Sequence, residues 1–462
     1  MSLECPSKEI VMGLHTTLVA NLLFPLQEKL KKHDTLAIRQ AMDESQWWPG
    51  EKLEELRLKR LRALLAKAGK HVPYYHDCFT RLGFNPQVVE SLADLQQLPL
   101  LTKSVIRAEG DRMKSDIAEG LARFNTGGSS GEPLIFFIGT ERVSHDVAAK
   151  WRATRWWNVD IGDPEIVVWG SPIELGTQDR IRAIRDKLMR TELMPAFLMN
   201  ETNLDQFVAR IRERRPKMLF GYPSAISLIA THAQKRRIRL NNLGIKVVFC
   251  TSERLYEHQR ESISTAFACP VANGYGGRDA GFIAHECPSG GMHITAEDII
   301  IEIIDEQGEI QPPGVAGEIV VTHLATSDFP FIRYRTGDIG VLGTEQCACG
   351  RGLPVLKEIQ GRSTDFIVAA DGTVMHGLAL IYILRDQPGV KEFKVIQETT
   401  QLTRVLIVPE SPFQPETKKK IIAGLKQRLG NSVQIDVQIT DNIPPEKSGK
   451  FRYIISNVAQ NS

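Results

Sequence analysis

Short β-rich runs at 165–169, 217–220 and 246–250 alternate with stretches of helical periodicity at 204–214 and 223–236. No other feature restricts the fold as strongly, because strands and helices that alternate in this way stack as α/β layers. Between 298 and 322 the pattern changes to strand, turn, strand. There 299–304 and 317–322 flank an Asp-Glu-Gln-Gly turn and a Pro-Pro-Gly break, which predicts a β-rich subdomain. Beyond Gly361 the chain reads as a hairpin around Asp371-Gly372, a helix, strands at 393–397 and 404–408, a Lys-rich helix, and a last strand near 433–439. That is a compact α+β domain of about 100 residues. No internal repeat or low-complexity linker interrupts the pattern.

A length of 462 residues with 42% hydrophobic content supports two or three domains and a sizeable core. The formal charge of +2 excludes a global excess that would hold nucleic acid or an anionic membrane. Seven cysteines without a dense framework fit a reducing cytosol better than a disulfide-stapled secreted protein. The segment 10–27 contains no Lys, Arg, Asp or Glu. His15, Thr16, Thr17 and Asn21 interrupt its apolarity, Pro25 is expected to break it, and no cationic secretory opening precedes it. A packed or partner-facing helix is expected rather than a surface anchor, without stable membrane insertion and in the cytoplasm. The charges of 53–68 read as a solvated helix face rather than a nucleic-acid patch.

The first chemical signal is the loop Thr126, Gly127, Gly128, Ser129, Ser130, Gly131, Glu132, Pro133, followed by strand-like residues 134–138. Its glycines let the backbone approach a polyphosphate, and its N–H groups and hydroxyls supply neutral donors. It is not a Walker A loop, since Glu132 stands where the lysine would have to be. By itself such a loop is also an ordinary connection, so context has to decide.

A second constellation is Cys287, His293, Cys347 and Cys349, with Gly350 allowing a tight turn after the Cys-x-Cys pair. A thiolate-rich set of four suits tetrahedral Zn²⁺ in a structural site; the alternative is a set of free buried thiols. The Cys-x-Cys spacing is tighter than usual, and His285 competes with His293 as fourth ligand. Nothing points to a catalytic zinc or a cysteine nucleophile.

The context for the Gly/Ser loop follows in order: Asn-Gly-Tyr-Gly-Gly-Arg-Asp at 273–279, Arg-Tyr-Arg-Thr-Gly-Asp at 333–338, Gly-Arg-Ser-Thr-Asp at 361–365, and Ser-Gly-Lys-Phe-Arg at 448–452. Over about residues 50 to 460 this series resembles the adenylate-forming superfamily of acyl-CoA synthetases, peptide-synthetase adenylation domains and luciferases. The wording Pro-Phe-Ile-Arg-Tyr-Arg-Thr-Gly-Asp, His-Glu-Cys-Pro and Cys-Ala-Cys-Gly-Arg is similar to phenylacetate-CoA ligases and their relatives encoded near capsule-biosynthesis genes.

The resemblance implies roles for individual residues. Thr126 to Gly131 would embrace the β and γ phosphates of ATP. Thr251, Ser252 and Glu253 would edge the adenine, while Tyr275, beside Gly276, would stack on its face. Asp279 would help hold Mg²⁺. Asp338 would accept hydrogen bonds from both ribose hydroxyls, and Arg362 would reach the nucleotide from the domain junction. Lys450 would be the catalytic lysine, with Thr364 and Asp365 at the hinge. Two departures stand out: Arg278 replaces a small hydroxyl residue, where it would act as a phosphate clamp or mark a changed geometry, and Asp279 is one methylene shorter than the usual glutamate.

The implied fold is α/β: a large multi-subdomain N-terminal domain, 1–361, with α/β layers plus the β-rich subdomain, and a small mobile α+β C-terminal domain, 362–462. The implied activity is ATP-dependent, AMP-forming activation of a small-molecule carboxylic acid, followed by transfer to coenzyme A. Two alternatives stand beside it: transfer to an amine, a hydroxyl or a carrier protein, and a non-catalytic nucleotide-binding module. The acid stays open, and so does the oligomeric state, with a homodimer as one option.

Overall fold

The computed structural model describes residues 13–125, 134–169, 180–196, 199, 201–305, 307–361, 366–376, 378–385, 387–410, 413–443 and 454–458. Strands β1 (Ala122–Asn125) and β2 (Ile135–Ile138) pair antiparallel, Ala122 opposite Ile138, on either side of the Gly/Ser-rich segment.

The β-rich runs that alternate with helices become one seven-stranded sheet. It contains β3 (Glu165–Trp169), β4 (Thr191–Pro195), β5 (Met218–Gly221), β6 (Val247–Thr251), β7 (Val271–Gly277), β8 (Gly281–Glu286) and β9 (Met292–Ile294). The order is β4-β3-β5-β6-β7-β8-β9. The first five strands in that order run parallel, because a helix or a long connection returns the chain between them. β8 and β9 add antiparallel through short turns. Every residue of β5 and β6 is buried, as expected of strands covered on both faces. Ile226, Ile229, Ile211 and Phe267 cover one face from the helices Glu201–Arg214, Pro223–Lys235 and Glu257–Phe267. Ala153, Phe220 and Phe249 form the core on the other.

A second sheet, β10 (Ile299–Ile304), β11 (Ala316–His323), β12 (Tyr334–Leu342) and β13 (Leu356–Gly361), is an antiparallel meander in sequence order. It supplies the expected β-rich subdomain and shares a core with Leu61, Leu64, Leu65 and Ala68 of the Gly50–His71 helix. The C-terminal unit begins with the hairpin β14 (Phe366–Val368) and β15 (Val374–His376). It continues with β16 (Val390–Thr399), β17 (Leu402–Pro409), β18 (Gln434–Ile439) and β19 (Ile454–Ser456), arranged β18-β17-β16-β19. Leu380, Val395, Val405, Ile407, Ile421 and Leu425 make a core of its own. The mixed α/β architecture with a separate C-terminal domain is thus the one expected from the sequence.

One expectation is corrected. Pro25 does not break the N-terminal helix: Leu14–Leu18 continues through a π-helical turn, Val19–Leu23, into Phe24–Leu30. Proline lacks the N–H that an α-helix would use there and its ring crowds the preceding turn, and the wider i→i+5 turn ahead of it accommodates both.

Candidate functional site

The carboxyl ends of the parallel strands, together with β12, carry Ser252, Glu253, Tyr275, Asp279 and Asp338. Ligands of open α/β sheets bind at such ends. After β6, Ser252 takes a left-handed backbone (φ 67°), which turns the chain off the sheet edge. Glu253 then accepts the Ser224 N–H at 3.2 Å. Burial pushes its carboxyl up from the ordinary range, against the Ser224 bonds and the nearby Arg428 guanidinium. Arg428 belongs to the Pro415–Leu429 helix of the C-terminal unit, so that unit faces the site loop.

Tyr275 lies near the end of β7, half-buried, and its hydroxyl donates to Asp338 Oδ2 at 2.9 Å. Asp338, on β12, has its backbone N–H on Thr336 Oγ1 at 3.1 Å. Two motifs 63 residues apart in sequence therefore meet in one contact. Gly276 follows Tyr275 where a Cβ would lie 2.3 Å from the Gly281 carbonyl oxygen, so no side chain fits.

Arg278 and Asp279 form the β7–β8 turn, with the Arg278 side chain exposed. Asp279 Oδ2 accepts the Tyr334 hydroxyl at 2.6 Å, and Oδ1 accepts the Ala280 N–H at 3.2 Å. Tyr334 is fully buried. The turn is also held from below, where Arg142 donates to the Arg278 carbonyl at 2.6 Å.

That last contact opens a buried polar network that the sequence reading missed. Arg142 lies 3.4 Å from Asp146, and His323 lies 3.5 Å from the same carboxylate. Burial alone would lift the Asp146 pKa, but Arg142 and His323 outweigh it and hold it below the ordinary range. One residue earlier, His145 sits 2.8 Å from Asp298, which also takes Arg60 at 2.6 Å. Burial again opposes the charge on Asp298, and His145 and Arg60 hold that carboxyl well below the usual carboxylate range. Further along the same helix, Thr140–Arg155, Arg152 pairs with Glu297 at 2.5 Å, both fully buried. The available signal was the helix itself, on which Arg142, His145, Asp146 and Arg152 fall along one side.

The cysteine and histidine set also comes together, past the end of β8 and on β9. Ligand atoms of Cys287, His293, Cys347 and Cys349 all lie within 4.8 Å of one another. His293 places Nδ1 3.1 Å from the Leu353 carbonyl, which can only accept; Nδ1 therefore carries the hydrogen, and the Nε2 lone pair points to Cys349 Sγ at 3.1 Å. A Cβ at Gly291 would lie 2.5 Å from Cys347 Sγ, so glycine is required for the thiols to close. His285, the competing ligand, instead packs between Phe249 and Phe282 outside this group. The loop also docks the N-terminal arm: Gly352 N–H donates to the Gln46 carbonyl at 2.9 Å, and Arg351 stacks on Trp47 and Trp156.

Thr126, Gly127, Gly128, Ser129, Ser130, Gly131, Arg362, Thr364, Asp365 and Lys450 lie outside the described residues.

Comparison with known proteins gives two family matches: an AMP-binding enzyme model over residues 193–326 and a CapK C-terminal domain model over residues 367–457. Protein CapK of Staphylococcus aureus is 24% identical over 417 residues, 88% of this chain and 90% of that protein. The phenylacetate-coenzyme A ligase of Thermus thermophilus is 22% identical over 446 residues, 88% of this chain and 97% of that protein. Among solved structures, a 2-hydroxyisobutyryl-CoA ligase in complex with 2-HIB-AMP and CoA superposes with a TM-score of 0.66. It is 20% identical and covers 90% of this chain and 92% of the other.

Proposed function

The chain belongs to the adenylate-forming superfamily, in the branch of the phenylacetate-CoA ligases and CapK, and from that premise we propose that it is an AMP-forming acid–thiol ligase. It activates a carboxylic acid with ATP and passes the acyl group to coenzyme A. The observation that carries this reading is the Tyr275–Asp338 contact at the carboxyl edge of the sheet. An aromatic face and a carboxylate side by side support a site for a purine and its ribose.

Tyr275 stacks on the adenine, Ser252 and Glu253 edge it, and Asp338 takes the ribose. The Thr126–Gly131 loop holds the β and γ phosphates, with Arg362 reaching the nucleotide. Asp279 would help hold Mg²⁺, since its carboxylate has acceptor capacity beyond the Tyr334 and Ala280 bonds. The acid's carboxylate attacks the α-phosphorus, a new P–O bond forms, and pyrophosphate leaves. Lys450, carried by residues 362–462 on a hinge at Thr364 and Asp365, offsets the charge that develops. The coenzyme A thiol then attacks the acyl carbon, loses its proton, and AMP departs. Both steps run in the cytoplasm, in a protein whose residues 1–361 form the large domain.

Cys287, His293, Cys347 and Cys349 would hold a structural Zn²⁺: four converging N and S donors, with the His293 lone pair oriented from behind, are the donor set such an ion takes.

The test is ATP–pyrophosphate exchange against a panel of aryl, fatty and amino acids, followed by AMP release with and without coenzyme A. Exchange with one acid class and AMP release that multiplies on adding coenzyme A are expected. Exchange without that increase would move the acyl group to another acceptor. No exchange with any acid would leave a nucleotide-binding module.

A further inference from the structure

Five leucines, Leu14, Leu18, Leu22, Leu26 and Leu30, recur at every fourth residue of the N-terminal helix and are 47 to 93% exposed. An α-helix turns once in about 3.6 residues, so a four-residue period would wind around its axis. The π turn Val19–Leu23 takes more residues per turn and brings the leucines back toward one line. The opposite face is packed: Val19, Ala20 and Phe24 are buried, Phe24 meets the Trp151 ring edge-on at 5.2 Å, and Thr16 donates to Asp163 at 2.8 Å. The helix is thus fixed to the body, and among the described residues its leucine edge is left exposed.

Both ends of the stripe carry cations. The His15 ring lies 3.2 Å from the Leu188 carbonyl, so the end of the Arg180–Met189 helix, with exposed Lys187, Leu188 and Arg190, sits at the start of the stripe. Exposed Lys29, Lys31 and Lys32 close its other end. Asp186 is paired with Arg185, and Glu28 is buried under His33 and Thr35, so neither offsets those charges. At the far end Asp34 stands alone against three lysines.

We propose that this edge is a peripheral docking surface for an anionic lipid bilayer. The leucines enter the headgroup boundary and the two basic clusters meet lipid phosphates or carboxylates. The charge arrangement selects this occupant over a second copy of the chain. An antiparallel pairing of two stripes sets Lys187 and Arg190 against Lys29, Lys31 and Lys32, and a parallel pairing sets each cluster against itself. Both juxtapose like charges, which costs affinity. Among the described residues no helix is long and apolar enough to cross a membrane, so the contact lies on the surface. This inference does not depend on the reaction catalysed.

The full-length protein is floated with vesicles of phosphatidylcholine alone and with vesicles in which roughly one lipid in four is phosphatidylglycerol. Binding to the anionic vesicles and release by salt are expected, with about tenfold weaker binding to neutral ones. The triple variant Leu14→Gln, Leu18→Gln, Leu22→Gln and the variant Lys29→Glu, Lys31→Glu, Lys32→Glu are each expected to lose that binding about tenfold, at unchanged melting temperature and circular dichroism. Should the leucine variant melt early, the lysine variant, all of whose changes are on the surface, still reads the effect. Failure to float with anionic vesicles, or equal binding to both lipids, overturns the proposal. So does a lipid-free dimer, by light scattering, that the leucine variant converts to monomer.

Discussion

The Tyr275 hydroxyl and the Asp338 carboxylate are joined by a 2.9 Å hydrogen bond that ties the last parallel strand of the large sheet to the neighbouring meander. The bond orients both groups before any ligand arrives. Tyr275→Phe keeps the ring and removes the tether, and is expected to weaken ATP and AMP alike by about three- to tenfold, the worth of about one hydrogen bond. Asp338→Ala removes the tether and the ribose acceptor together and is expected to cost about a hundredfold, as loss of a charged acceptor does. Calorimetry with both nucleotides separates the two. Equal losses would mean that the carboxylate serves only to hold the tyrosine.

Metal analysis of protein purified without chelator is expected to give about one zinc per chain. Cys349→Ser is expected to lose it and melt several degrees lower, because a structural site couples metal binding to folding. Since the same loop bonds Gln46 and stacks on Trp47, tryptophan fluorescence is expected to change with the metal. A zinc-free wild-type protein of unchanged stability would end the assignment.

Arg152 and Glu297 are both buried, and neither meets enough other partners to stand alone. Arg152→Met is expected to destabilise by about 3 to 5 kcal/mol, chiefly because it strands a buried carboxylate. Adding Glu297→Gln in the same chain is expected to recover part of that loss. Urea unfolding of the single and double variants measures the difference, and strict additivity would argue against the pairing.

Stability near His145 is expected to depend on pH. Burial works against the imidazolium, but Asp298 outweighs it and the His145 pKa rises above its ordinary value, with Arg60 opposing and Glu141 assisting. A raised folded-state pKa gives stabilisation that is complete below the unfolded pKa of about 6.5 and is lost as pH climbs through the folded value. The Asp298 carboxyl, held low, contributes above about 4 and loses its contribution as pH falls. The melting deficit of His145→Gln is therefore expected to be largest between about pH 4 and 6.5 and to shrink in alkaline buffer. A deficit that does not change with pH would assign His145 to packing alone.

Much of the fold was legible in the residues themselves. Tyr275 and Asp338 became candidates through the resemblance carried by glycine-bearing phrases in a fixed order along the chain, and the cysteines and His293 are few enough to group by type. Arg142 and Asp146 were not legible in the same way. On a helical wheel they look like solvent-facing charges, and only the packing of Thr140–Arg155 beneath the β7–β8 turn buries Arg142 and half-covers Asp146. β19 is three residues long, and β4 ends in proline, so neither carries enough alternation to declare itself. The fate of Pro25 depended on the π turn ahead of it, and residue propensity does not encode that turn.

The C-terminal unit keeps its apolar residues in a core of its own, and beside the approach of β15 to the Pro223–Lys235 helix it meets the large domain through Arg428, which donates to the Ala196 carbonyl at 3.2 Å and faces Glu253. A joint of this kind works as a latch. Releasing it exchanges a guanidinium's protein partners for water. The strength of the latch depends on the charge of Glu253, whose carboxyl burial already tilts toward the neutral form. A ligand that rewets the Glu253 loop would sharpen the grip, and one that seals the loop would relax it.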